Sequence, residues 1–234
     1  MISVEAKMDR HMRLERPYIV ATALILLNEV GFDQWTTRKL AERLGVQQPA
    51  LYWHFRNKGA LVEAMNETML ASGHTYRGSP GDDWRTFLVE NARSFRRALL
   101  AFRDGARVHT AAEGARQDLA ATASELAVLK KAGFDIVLAM QALVAIGRYA
   151  VGCVLEEQAA LADPPDGDAQ EKTLQTYASL GVAKKNFGEL GPEQTFEAGI
   201  RLIVDGLAPH LPAGPRARPK ASAEQLSLFG MPLD

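Results

Sequence analysis

Between Thr37 and Lys58, five cations (Arg38, Lys39, Arg43, Arg56 and Lys58) face one anion, Glu42, a local balance of +4. Gln48, Tyr52 and His54 lie among them. These are residue types that suit double-stranded DNA. Gln48 can pair bidentately with adenine and Arg38 with guanine, and Tyr52 can meet a thymine methyl or a phosphate. Thr37, Tyr52, His54 and Lys58 can hold the phosphate backbone and fix register without reading sequence. The competing reading is a solvated helical hairpin with ordinary surface cations, and residue type alone leaves both open.

Two short helices must position these side chains. Thr36 caps a helix ending near Leu44, and Gly45-Val46-Gln47 makes a tight turn. A second helix fits Gln48–Phe55, with Pro49 near its first position, where the missing N–H costs nothing. Leu40, Ala41, Leu44, Val46 and Leu51 can pack the pair together, and Gly45 permits a left-handed turn. That is the length and turn of a helix-turn-helix, whose second helix enters the major groove.

The remaining periodicity is helical too, and no alternating run of β-branched residues marks a strand. Helices are expected over Leu14–Val30, from Asn57 to about Ser72, from Asp82 or Asp83 to about Phe102, over Gln117–Lys131, from Asp135 to about Gln158, and over Gln170–Asn186 and Pro192–Ala208. Gly105–Arg116 is poorly patterned. The run Ile136–Leu155 is 20 residues long, enough for a membrane span, but Gln141, Arg148 and its glycines favour a packed core or dimer seam. Residues from Pro209 onward, rich in Pro and Ala, read as a disordered tail. The expected architecture is all-α. A helix-turn-helix head of three helices (1–60) joins a larger helical ligand-binding and dimerisation core (61–208) through a connecting helix (57–72), with a tail at 209–234.

The chain has 234 residues, 47% hydrophobic and 24% charged, too apolar for a disordered chain. The single cysteine, Cys153, excludes an internal disulfide and a CxxC metal site. With no apolar leader at the N-terminus, a cytoplasmic protein is expected. The net charge of -1 conceals a segregation. Residues 1–60 carry 9 Lys+Arg against 6 Asp+Glu, and residues 61–234 carry 18 against 22. A basic head on an acidic core suits phosphate affinity.

The segment ALILLNEVGFDQWTTRKLAERLGVQQPALYWHFRNKGALVEAM (23–65) resembles the DNA-binding domain of the TetR family of bacterial repressors. Its marks are NEVG, TTRKLAERLGV and LYWHFRNK, in that order. WRTFLVENARSFRRALLAFRDGARVH (84–109) and GFDIVLAMQALVAIGRYAVGCVLEEQ (133–158) extend the similarity to the tetracycline-repressor subgroup. The resemblance implies a homodimer on a palindromic operator of double-stranded DNA, released by a small-molecule inducer. In that subgroup the inducer is a magnesium–drug chelate. It implies DNA contacts from Thr37, Arg38, Gln48, Pro49, Ala50, Tyr52, Trp53, His54 and Lys58; Ala50 stands where the subgroup has a hydroxyl residue.

For the inducer the resemblance implies contacts from His74, Asn91, Phe95 and Leu143, with His109 as direct metal ligand and Glu156 as the carboxylate reaching the hydrated metal. Mg²⁺ keeps several waters, so one histidine beside oxygen and water ligands is a reasonable set. The magnesium would arrive with the inducer; no intrinsic cofactor is expected. The chain departs from the subgroup's pattern at Ala112, Glu113 and Gly114, at Thr122, and at Glu125, which replaces a glutamine. A related chelating or polycyclic inducer is therefore expected. By the same resemblance, the helix around Gly105–His109 moves on binding and pushes the 57–72 helix, respacing two heads that must sit roughly 34–36 Å apart on DNA. The seam would be a four-helix bundle of 135–158 and 192–208 from both subunits.

Two other readings stand beside this one. A regulator of the same type can answer a non-metal inducer or a protein partner. An enzyme would need a nucleophile–base or paired-carboxylate constellation, and none has supporting spacing. In the tail, QLSLF (Gln225–Phe229) resembles the peptide by which bacterial proteins dock to the replication sliding clamp.

Overall fold

The computed structural model describes residues 14–78, 82–112, 119–163, 172, 175–176 and 191–211. All regular elements among them are helices: α1 (Arg16–Val30), α2 (Thr37–Leu44), a 3-10 helix (Gln48–Trp53), α3 (Lys58–Gly73), α4 (Trp84–Leu100), α5 (Gly105–Ala111), α6 (Leu119–Lys131), α7 (Ile136–Ala162), α8 (Pro192–Leu207) and a closing 3-10 turn, Ala208–His210. The expected all-α architecture is the observed one. The expected helix at Gln170–Asn186, apart from helical residues 172, 175 and 176, lies outside the described residues, as do Glu113, Gly114 and the Gln225–Phe229 motif.

Local chemistry sets the helix ends. The Thr36 hydroxyl accepts from the Lys39 N–H, Asn57 from Ala60, Asp83 from Thr86 and Asp135 from Val137 and Leu138. Gly45 closes α2 at φ 68°, in the left-handed region. One element differs from the sequence reading, and another, unmarked by periodicity, is the helix that the resemblance implied around Gly105–His109. The expected helix Gln48–Phe55 is a 3-10 helix ending at Trp53. Pro49 has no N–H to give, the Ala50 N–H bonds back three residues to Gln47 (2.9 Å) and that of His54 to Leu51 (3.0 Å), so the turn tightens. The poorly patterned stretch from Gly105 contains α5, which buries Gly105, Ala106 and Val108. It starts at Asp104, whose φ of 56° redirects the chain. Only glycine fits after it, because a Cβ on Gly105 would lie 2.1 Å from the Leu99 carbonyl oxygen.

The core of the head continues into the helices beneath it. Ile19, Leu27, Trp35, Leu40, Leu51 and Phe55 form one buried cluster with Met65 and Met69 of α3, Leu99 of α4, Ala106 and Val108 of α5 and Val154 of α7. Trp35, fully buried, ties its indole N–H to the Ala23 carbonyl at 3.1 Å. Polar bonds reinforce the junction. The Phe32 N–H donates to the Asp104 carboxylate (2.7 Å), Arg107 forks onto Asp33 (2.6 and 2.8 Å), and Arg103 donates to the Asn28 side chain and the Glu29 carbonyl.

A second cluster joins Phe87, Leu88 and Ala92 of α4 to Ile146 and Ala150 of α7 and Phe196, Ile200 and Val204 of α8. Two arginines of α4 clamp it. Arg96, buried, pairs with Glu157 at 2.7 Å and Glu193 at 2.5 Å, and Arg93 pairs with Glu90 and Glu197. The hydrogen bond from Arg93 holds the Glu197 carboxyl below the ordinary value of 4.5, against partial desolvation. A carboxylate depressed in the folded state stabilises the fold above its unfolded pKa, and this stabilisation is lost as pH falls through the folded value. The melting temperature of the wild-type chain is therefore expected to fall below about pH 4.5, with a shallower decline in Glu197→Gln; equal acid limbs in calorimetry would contradict the clamp.

Candidate DNA-reading head and ligand cavity

Most of the expected DNA contacts, on α2, the 3-10 helix and the start of α3, are exposed or partly exposed. Trp53 is 88% exposed and Tyr52 44%, unusual for large aromatic side chains. Arg38, Pro49 and Lys58 are also exposed, and Gln48, Ala50 and His54 are partly so. Thr37 differs: it is buried, and its hydroxyl accepts from the Gln48 side-chain amide at 2.9 Å. Thr37 therefore acts here by fixing how Gln48 is presented. Arg38 is held by Glu42 across one helical turn at 3.1 Å, and the Lys58 ammonium lies 5.5 Å from the centre of the Trp35 ring. The Arg16 guanidinium donates to the His54 carbonyl (2.9 Å) and stacks on Phe55, anchoring the far end of the turn.

The core holds a cavity of about 580 Å³, within the usual range for a small-molecule site. His74, Asn91, Phe95, His109 and Leu143, scattered over α3 to α7, all line it. Phe95 lies between two imidazoles, edge-on to His74 at 5.5 Å and to His109 at 5.2 Å. Sequence reasoning missed Ala92, Thr110, Met140, Val144, Ile146, Gly147, Arg148 and Val151, which complete the wall together with the departing residues Thr122 and Glu125. The α7 members recur every three or four residues, so the helical period, once this face is known, would have found them.

Glu156 is exposed on α7 and outside this wall. The cavity-facing register of α7 runs through Leu143, Gly147 and Val151, and the next turn buries Val154 in the head cluster, leaving Glu156 on another face. One chain therefore supplies the cavity with His109 alone of the expected metal pair. Among the described residues, no group of three or more His, Cys, Asp or Glu side chains is placed to hold a metal ion.

Asn66 is a further residue the sequence reading missed. It is 1% exposed, and its carbonyl oxygen lies 2.9 Å from Nδ1 of His109. With the Nδ1 proton given to Asn66, the lone pair is left on Nε2, the arrangement that prepares an imidazole for a metal or a ligand donor. An amide among Leu61, Val62, Met65 and Met69 on the buried face of α3 was the available signal. Burial pushes the His109 pKa below its ordinary value of 6.5.

Residues 19–65 match the family model of bacterial regulatory proteins of the tetR family, and residues 77–211 match that of the tetracyclin repressor-like C-terminal domain. The chain is 49% identical over 197 residues to the tetracycline repressor protein class A from transposon 1721 of Escherichia coli, covering 84% of this chain and 91% of that one. It is similar to the crystal structure of the class A repressor with 5a,6-anhydrotetracycline and magnesium (46% identity, TM-score 0.64, 84% of this chain and 99% of that one). It also resembles BioQ solved with its double-stranded DNA operator (27% identity, TM-score 0.64, 84% and 99%).

An NMR titration of the folded protein is expected to place His109 below 6.5. A depressed histidine contributes stability above its unfolded value that is lost as pH falls, so a His109 titrating above 6.5 would contradict its burial. The two matched domains, with the head and cavity they contain, show that this chain belongs to the TetR family of bacterial regulatory proteins.

Proposed function

We propose that the protein is a ligand-responsive transcriptional repressor: a homodimer holds a palindromic operator through its two heads and releases it when a small molecule fills the cavity. One observation carries this reading. The seven-residue helix α5 presents His109 to the cavity at one end, and at the other it is bonded through Asp104 and Arg107 to the Phe32–Asp33 turn of the head. A ligand that binds one α5 position better than another shifts the population of head positions by its differential affinity. Through Asn66 the same displacement reaches α3, the connecting helix.

The exposed apolar face of the core supports a second copy as its cover. Val137, Met140 and Val144 of α7 and Leu202 of α8 are 41–75% exposed, and a Cβ on Gly147 or Gly152 would meet nothing within 4 Å. Helix α7 is long and apolar enough to cross a membrane, with 22% of its most apolar window buried. We assign that face to a four-helix seam with the partner's α7 and α8, and the protein to the cytoplasm, where an operator is available. We read the chain as a regulator and not an enzyme.

A magnesium chelate fits the cavity as an inducer. His109, its free Nε2 set by Asn66, would hold the ion, and the chelating ligand and water would supply the remaining oxygens. When bound, the ion would contribute charge at the α5 end of the cavity. His74, Asn91 and Phe95 would orient the organic part. Glu125, in place of the subgroup's glutamine, favours the second reading, an inducer of different chemistry.

Each good base contact is worth about 1–3 kcal/mol, and a dimer loses it twice. Tyr52→Ala is therefore expected to weaken binding by roughly two orders of magnitude to a duplex selected by the wild-type protein from a random pool, with the elution volume of the dimer unchanged; monomerisation would contradict the assignment. In calorimetry, a magnesium-dependent heat with tetracycline that disappears in His109→Ala is expected from the chelate version, whereas no heat with or without magnesium would exclude tetracycline.

A further inference from the structure

We propose that the cavity selects a cationic ligand, a flat polycycle carrying a protonated amine or iminium group, and that Glu125 is the residue that selects it; this deepens the reading of the cavity as the inducer site and rests on it. Glu125 projects from α6 into the cavity wall with 13% of its side chain exposed. Both of its contacts fall on Oε1: the Asn91 amide donates at 2.9 Å, and Nε2 of His74 stands 3.8 Å away, beyond hydrogen-bond distance. Among the described residues, Oε2 has no hydrogen bond.

A carboxylate offers about four acceptor positions, and one is used here. Among the described residues lining the cavity, the only cation apart from histidine is Arg148, which is exposed. A ligand entering this space strips water from Glu125. If it brings no positive charge, the carboxylate is left under-bonded in mainly apolar surroundings; a cationic N–H donor replaces the water with a charge-assisted bond.

A second observation points the same way. Nδ1 of His74, next to Glu125, is buried without a hydrogen-bond partner. The cavity end formed by His74, Asn91 and Glu125 thus holds unmet polar capacity. Because Glu125 can only accept, it also fixes the Asn91 amide with its NH₂ toward the carboxylate.

The test uses two dyes with one xanthene skeleton and opposite charge, rhodamine 123 (cationic) and fluorescein (anionic). Their affinities for the full-length wild type, Glu125→Gln and Glu125→Lys are read by fluorescence anisotropy, with melting curves confirming that each variant folds. The wild type is expected to bind rhodamine 123 at least tenfold more tightly. Glu125→Gln should reduce that preference to within about threefold, and Glu125→Lys should reverse it. A preference that survives in Glu125→Gln would place the cation elsewhere on the acidic core and overturn the proposal. So would equal affinities in the wild type, or no binding of either dye. The same samples are then run with operator DNA. A dye that binds through Glu125 without releasing DNA contradicts the inducer reading and leaves the charge selectivity standing.

Discussion

The His109–Asn66 hydrogen bond is the interaction on which the rest of this structure turns. It joins a buried amide on the connecting helix to an imidazole in the cavity wall. It decides which ring nitrogen is free, and so which chemistry the cavity offers. It also makes α3 and α5 neighbours whose separation matters: one bond length separates the cavity wall from the helix that carries the head. Asp104 and Arg107 then secure the other end of α5 to the head itself. A helix held at both ends can shift little without being felt at both.

The magnitudes are suitable for a switch. A neutral hydrogen bond contributes about 0.5–1.5 kcal/mol net, and a left-handed non-glycine residue such as Asp104 costs on the order of 1 kcal/mol. Typical couplings between sites are about 1–3 kcal/mol. Two or three partly buried bonds around α5, offset by the strain at its start, therefore lie in the range a differential ligand affinity can overcome. A larger apolar interface between α5 and the head would have locked the junction; a purely solvent-exposed one would not transmit.

The sequence made the head legible because local rules govern it. Thr36, Gly45, Pro49 and Asn57 act within a few residues of themselves, and their effects survive folding unchanged. The 3-10 geometry after Pro49 escaped because apolar spacing over six residues does not separate it from an α-helix. Periodicity did not mark helix α5, which only the family resemblance implied. Its seven residues owe their conformation to burial against Leu99 and the head, not to periodicity. The cavity residues were named only through family resemblance. His74, Asn91, Phe95 and His109 come from two helices and a helix end, and no spacing along the chain connects them.

The same distinction explains why Glu125 carries more information than the residues that match the pattern. His74, Asn91 and Phe95 say that a cavity of this family is present. They say little about which molecule fills it, because a flat aromatic wall and an amide accommodate many polycycles. A glutamine both donates and accepts, so its neighbours can adjust to either. A glutamate only accepts, and it adds a charge that must be matched within the cavity or hydrated. Its presence restricts a neighbour as well: Asn91 must donate to it. One substitution thus redefines the polar character of a whole cavity end while the helices around it keep their places. Fold and switch can be shared across a family because they depend on the packing of α3, α4, α5 and α7, whereas ligand choice depends on the few polar atoms that packing leaves exposed to the cavity.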